Sequence, residues 1–212
     1  MTDYCLYGRR GVGSCAPELL LVEMGQSYRF VTVTAEESKE AAYLKLCPTG
    51  MVPALTLPSG ETLFESTAIC IHLTLAHPEA GLAPTPGSPA HGRFLQWMLY
   101  LQADLYGAYR RVYQTRTHTD GGEAELALVR SRGQADVDRA YRILDGALAE
   151  TTAAGPGLLG TITAADHYLL MLMKWYSPSF AALLKAYPRL AALAEALRAR
   201  PQLATALAEN GF

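Results

Sequence analysis

The feature that most restricts the fold is a pair of short, closely spaced stretches: Pro48-Thr49-Gly50-Met51-Val52-Pro53-Ala54-Leu55 and Gly60-Glu61-Thr62-Leu63-Phe64-Glu65-Ser66. A polar turn leads into Val52-Pro53 and then into a short apolar strand at 54–57. Pro58-Ser59-Gly60 makes a turn, a second short strand follows, and Glu65-Ser66 opens a helical run that reads Thr67-Ala68-Ile69-Cys70-Ile71. Ser66 has the chemistry of a helix N-cap, and a helix N-terminus presents N–H groups and partial positive charge to a carboxylate.

The flanking segments extend the pattern. Residues 3–7 are rich in strand formers, and Gly8 to Gly13 is a loop with three glycines and Arg9-Arg10. Helical spacing of Cys15, Ala16, Leu19, Leu20, Val22 and Met24 runs from Ser14 to a stop at Gly25, with Pro17 tolerated in the first turn. Tyr28 to Val33 reads as a strand, and residues 36–46 read as an amphipathic helix ending before Pro48. A helix from about 66 to 76 completes β-α-β-α-β-β-α, the order of a thioredoxin-like domain. The expected division is 1–80 for this domain, a Pro/Gly-rich linker at 81–90, and an all-helical domain at 91–212. The latter holds long runs at 91–117 and 123–150, a helix opened by a Thr163/Asp166 capping box, and two short Ala/Leu-rich helices separated by Pro201.

Composition excludes several classes of partner. The formal net charge is −2 and no Lys/Arg cluster is longer than Arg9-Arg10 or Arg110-Arg111, which disfavours nucleic acid and anionic membranes. No apolar run approaches the roughly 20 residues of a membrane span. No basic-then-apolar leader is visible at the start, so a cytoplasmic location is expected. Cys5, Cys15, Cys47 and Cys70 form no C-x-x-C pair, and the five histidines show no i, i+4 pairing. No metal site is expected, and the cysteines read as buried free thiols.

The two motifs together resemble the glutathione-binding half of the glutathione transferases, which runs Asn-Pro-x-Gly-x-Val-Pro-Ala-Leu and then Glu/Gln-Ser-x-Ala-Ile after a hairpin. The resemblance implies a cis Val52–Pro53 bond, which would leave the Val52 backbone groups to pair with an extended peptide. It also implies a glutathione site made by Met51, Val52, Pro53, Glu65 and Ser66. Glu65 would accept from the γ-glutamyl ammonium, and the helix start would receive the carboxylate. The bacterial beta class is the most similar, through Gly-x-x-Ser-x-Ala-Pro in the first helix and Arg-Pro-x-x-x-x-Ala near the end. The chain departs from that class in its catalytic positions: Gly13 stands where the class has cysteine and Glu18 where it has histidine. Leu99, Tyr106 and Gly107 align with its asparagine, histidine and lysine.

Three side chains are candidates to meet the glutathione sulfur. Ser14, at the start of the first helix, would donate from its hydroxyl or serve only as a cap. Tyr7 would donate a phenolic hydrogen bond or pack over the site. Cys15 would supply a substitute thiol or a buried structural one. Asp104 is either an exposed helix charge or, as in the resembling dimers, a reach across to the neighbour's ammonium. Tyr106, Arg110 and Tyr113 fall at i, i+4, i+7 and with Trp175 are expected to line a second-substrate pocket, against plain inter-helix packing. The resemblance thus implies a homodimeric, detoxifying transferase that uses glutathione as co-substrate and conjugates it to a small hydrophobic electrophile. The alternatives are a glutathione-dependent thiol reductase or peroxidase, which Gly13 disfavours, and a binding or assembly protein without turnover.

Overall fold

The computed structural model of the protein describes residues 3–212. The chain divides into two compact units, Met1–Thr85 with Ala196–Phe212, and Pro86–Glu195.

The first unit is built on a four-stranded sheet in the order β2-β1-β3-β4. Its strands are β1 (Tyr4–Gly8), β2 (Tyr28–Thr32), β3 (Ala54–Thr56) and β4 (Thr62–Phe64). β1 and β2 are parallel, with Gly8 opposite Thr32, because helix α1 (Cys15–Glu23) carries the chain back between them. The hairpin sets β3 antiparallel to both neighbours, with Tyr7 opposite Ala54 and Ala54 opposite Phe64. One consequence organises everything that follows. The C-terminal ends of β1 and β4 and the N-terminal end of β3 lie at the same end of the sheet, and paired strands are about 4.8 Å apart.

Leu19, Leu20 and Leu21 of α1 are fully buried, as are Leu6, Leu55, Ile69 and Leu73, and this apolar layer joins α1 and α3 (Ser66–Ala76) to the sheet. The amphipathic helix expected at 36–46 is shorter than its periodicity suggests. It resolves into a 3-10 turn at Glu37–Lys39 and one turn of helix α2 (Ala41–Leu44). Glu40, extended at ψ 147°, separates the two. The last segment of the chain belongs to this unit, through the end of α9 (Pro188–Arg198), a 3-10 turn at Pro201–Leu203 and α10 (Ala204–Glu209). It docks along α1: Arg200 Nε donates to Glu23 at 2.8 Å, and Asn210 Nδ2 donates to the buried Glu18 at 2.8 Å.

The second unit is helical. The long run expected at 91–117 is not one regular helix: α4 (Pro89–Tyr100) passes through a π-helical stretch at Leu101–Tyr106 into α5 (Gly107–Tyr113). α6 (Glu123–Thr151) and α7 (Ala164–Met173) follow, and α8 (Phe180–Ala186) is one more helix than the sequence reading distinguished. Gly133 on α6 permits the close approach of α5. A Cβ there would meet Arg111 Cβ at 2.9 Å and the Ala108 carbonyl at 3.0 Å. Asp145 on α6 accepts from the Arg189 and Leu190 amides at 3.1 and 3.3 Å and from the Arg189 guanidinium at 3.0 Å, fastening the start of α9.

The Thr163/Asp166 capping box forms at the start of α7, both reciprocal bonds present. Thr163→Ala is expected to lower stability by about 1 kcal/mol, the usual value of such a cap. A urea titration measures it, and glutathione affinity should not change.

Candidate functional site

Three backbone features meet at the end of the sheet described above. The first is Val52–Pro53, whose peptide bond is cis. Val52 lies just outside β3, and among the described residues its N–H and carbonyl have no hydrogen-bond partner. Its position is fixed from below. Lys39 Nζ donates to the Gly50 carbonyl at 3.1 Å and Tyr43 OH to the Met51 carbonyl at 2.7 Å. Val52 itself packs with Val33, Tyr43, Cys47 and Ala54. Met51 is exposed beside it.

The second is Glu65, which follows the last residue of β4. Its φ of 71° is the only positive value at a non-glycine among the described residues. Such a backbone costs on the order of 1–3 kcal/mol and persists where its surroundings hold it. Glu65 occupies the cap position of α3 and Ser66 is the first helical residue, one step later than its expected role as N-cap. The Glu65 side chain is exposed while Ser66 and Thr67 are buried at the helix start. The N-terminus of a helix carries partial positive charge, and at α3 this lies next to a carboxylate side chain.

The third is the loop from Gly8 to Ser14 that opens α1. Here lie the three sulfur candidates. Ser14 is fully buried, and its Oγ accepts from the Arg9 amide at 3.1 Å. The same hydroxyl rests on Gly8, where a Cβ would stand 2.3 Å from Oγ, so glycine is required there. Ser14 ties the loop to the end of β1. Tyr7 shares a sheet face with Cys5 and Thr56, and its phenol is engaged with them along the strands. The Cys5 hydrogen bond, with burial, pushes the Tyr7 phenol up, so it stays a protonated donor. Cys15 is buried close to Cys70, whose thiol burial and the Cys15 charge push well up, so neither serves as an exposed nucleophile. The loop itself retains its backbone: among the described residues the amides of Val12 and Gly13 have no acceptor.

In the second unit, Tyr106, Tyr113 and Trp175 do come together. Tyr106 meets Trp175 edge to face at a ring separation of 5.0 Å, and Tyr113 OH donates to the Trp175 carbonyl at 2.6 Å. The sequence reading missed Tyr109, which stacks on Tyr113 at 5.9 Å and meets Trp175 edge to face at 5.7 Å. The stripe is therefore 106/109/113. Arg110, placed with it by spacing, is exposed and donates to Gln114 at 3.3 Å, one turn on along the surface. Spacing of i, i+3, i+7 was the available signal for Tyr109. Asp104 is exposed in the π-helical stretch. Among the described residues no group of three or more His, Cys, Asp or Glu side chains could hold a metal ion, and no helix is long and apolar enough to cross a membrane.

Comparison with known proteins identifies these parts. Residues 2–74 match the model of the glutathione S-transferase N-terminal domain. Glutathione S-transferase GstA of Escherichia coli O157:H7 is 25% identical over 98% of both chains. Residues 2–74 thus resemble the glutathione-binding domain of that family, and the likeness to its members continues along the chain. A sphingomonad glutathione S-transferase complexed with glutathione is 29% identical, with a TM-score of 0.79 over 98% of this chain and 99% of that one. The beta-class transferase of Sphingomonas chungbukensis is likewise 29% identical at a TM-score of 0.79, over 98% of each chain. A thioredoxin-like unit followed by an all-helical one is the fold this chain shares with these structures.

Proposed function

We propose that the protein binds glutathione along the sheet end formed by Met51, Val52, Pro53, Glu65 and Ser66 and conjugates it to a small, hydrophobic electrophile. The cysteinyl backbone of the tripeptide pairs antiparallel with Val52, as an added strand pairs with a sheet edge. The γ-glutamyl carboxylate sits at the start of α3 and its ammonium on Glu65. That geometry directs the thiol toward the Gly8–Ser14 loop, because β1 and β3 are neighbours in the sheet. The unpaired backbone of Val52 beside the strained Glu65 is the observation that carries this reading.

The thiolate is the nucleophile, and a free thiol has pKa near about 8.5. With Ser14 buried, the donors to sulfur are the loop amides of Val12 and Gly13 and the N-terminus of α1. The thiolate attacks an electrophilic carbon, a carbon–sulfur bond forms, and the leaving group departs with its electron pair. Rate enhancement comes from positioning and from the lowered thiol pKa. The second substrate is held by the aromatic side chains Tyr106, Tyr113 and Trp175, backed by the buried Tyr109, with Arg110 at the margin. In this reading the enzyme is cytoplasmic and works as a homodimer, with Asp104 reaching the neighbour's γ-glutamyl ammonium. Its class is closest to beta, altered at Gly13 and Glu18.

Conjugation of glutathione to chlorodinitrobenzene, followed by absorbance, tests the activity. Turnover that Cys15→Ala leaves intact is the expected result, since that thiol is buried against Cys70. Loss of all activity in Cys15→Ala would assign thiol exchange instead. The burial of Ser14 favours one other reading, a glutathione-binding protein without turnover. Glutathione binding with no conjugation of any of a panel of electrophiles would establish it.

A further inference from the structure

We infer that Asn210 is a positioning residue for the Gly8–Ser14 loop, clamping it from the carboxy-terminal end of the chain so that its free amides face the glutathione sulfur. The inference rests on the proposed glutathione site.

The loop has little of its own to hold it. Beyond Gly8, the last residue of β1, it belongs to no ladder, and Gly11 at its centre has φ of +75°. At its base, the Arg9 amide donates to Ser14 Oγ and the Cys15 amide to the Val12 carbonyl. Its middle is held from outside: the Gly11 amide donates to Asn210 Oδ1 at 2.8 Å, across a separation of 199 residues.

Asn210 is itself fixed. It is 2% exposed, and its Nδ2 donates to Glu18 Oε2 and to the Ala206 carbonyl, both at 2.8 Å. Glu18 is fully buried on α1, and its other oxygen accepts from Arg10 at 3.1 Å and from Tyr28 OH at 3.1 Å. Arg10 is held in turn by Glu209 at 2.7 Å and by Phe30, 4.7 Å beneath its guanidinium. A buried carboxylate is tolerated only when its partners are complete, so these residues act as a unit. Moving Gly11 breaks a bond to a side chain that has nowhere else to go. The two that follow, Val12 and Gly13, are among the loop amides without acceptors in the described residues. Their aim is thus set by a side chain at the other end of the sequence.

The test is the thiolate absorbance of glutathione bound to the full-length protein, titrated against pH for wild type, Asn210→Ala and Asn210→Asp. Asn210→Asp keeps an acceptor for the Gly11 amide while losing the donation to Glu18, and it places carboxylate against carboxylate. It therefore damages stability without releasing the loop. Asn210→Ala releases the loop. The expected result is an apparent thiol pKa raised by about one unit in Asn210→Ala, a roughly tenfold lower thiolate fraction well below the pKa. The Asn210→Asp titration should stay near wild type although its melting temperature falls. An unchanged titration in Asn210→Ala, or equal shifts in both variants, overturns the inference and leaves Asn210 a staple of α10. Absence of glutathione binding by wild type would instead bring down the site, and this inference with it. Hydrogen exchange of the Gly11 amide in wild type needs no variant: protection comparable to core amides is expected, and exchange at the rate of an open loop overturns the clamp.

Discussion

Glu65→Ala and Glu65→Gly are both expected to lose about 10- to 100-fold in glutathione affinity, the value of one charge-assisted contact to an ammonium. Their stabilities should nevertheless differ, and in an unusual order. Glycine ordinarily destabilises relative to alanine because its unfolded chain is freer. At φ 71° the Cβ of alanine carries the steric cost that glutamate carries, and glycine does not. Glu65→Gly should therefore be more stable than Glu65→Ala by about 1 kcal/mol in urea unfolding. Equal affinity of wild type and both variants would remove Glu65 from the site. An alanine variant more stable than the glycine variant would mean that the backbone is not strained there.

Asp166→Ala is expected to cost about 3 kcal/mol or more. Asp166 is fully buried and accepts from the Leu158 amide at 2.9 Å, the Thr163 amide at 2.8 Å and the Thr163 hydroxyl at 3.0 Å. Alanine strands two buried amides, each costing about 1–3 kcal/mol without a partner. The sequence motif shows only the cap, worth about 1 kcal/mol. The bond to Leu158, across the Gly-rich connection before α7, makes the difference. Burial pushes the Asp166 carboxyl up, against its three donors and the nearby His167, which pull it down. With the folded pKa above the unfolded one, the stability linked to this proton is fully present below about pH 3.9 and is lost as pH rises through the folded value. Asp166→Asn, which keeps one acceptor and cannot ionise, should lose less than alanine and flatten that part of the stability–pH curve. A cost no larger than that of Thr163→Ala would mean that the Leu158 bond contributes nothing.

The parts of the site that were legible in the sequence are those made by local chemistry. Val52-Pro53 and Glu65-Ser66 sit where strand, turn and helix signals force a chain reversal, and the resulting register brings them to one sheet end. What was not legible is side-chain direction. Ser14 reads as a donor to a ligand or as a plain helix cap, and its contact with Gly8 has no local signal. That contact comes from the close approach of α1 to β1. Tyr7 points along its strand toward Cys5 and Thr56 because its register opposite Ala54 places those residues on one face. The expected helix at 36–46 failed at Glu40, but Lys39 and Tyr43 on either side of that break hold Gly50 and Met51 in place. Asn210 gave no signal at all. It is one polar residue at the end of an Ala/Leu-rich stretch, and its partners Gly11 and Glu18 lie near the opposite end of the chain.

The central claim is that the sheet end around Val52 and Glu65 holds glutathione through its γ-glutamyl group. Calorimetric titration of the wild-type protein with glutathione, and in parallel with the dipeptide Cys-Gly, tests it most directly. Saturable binding of glutathione, with Cys-Gly weaker by at least about tenfold, is the predicted result. No binding of glutathione at millimolar concentration, by calorimetry and by an independent probe, or equal binding of the two peptides, would contradict it.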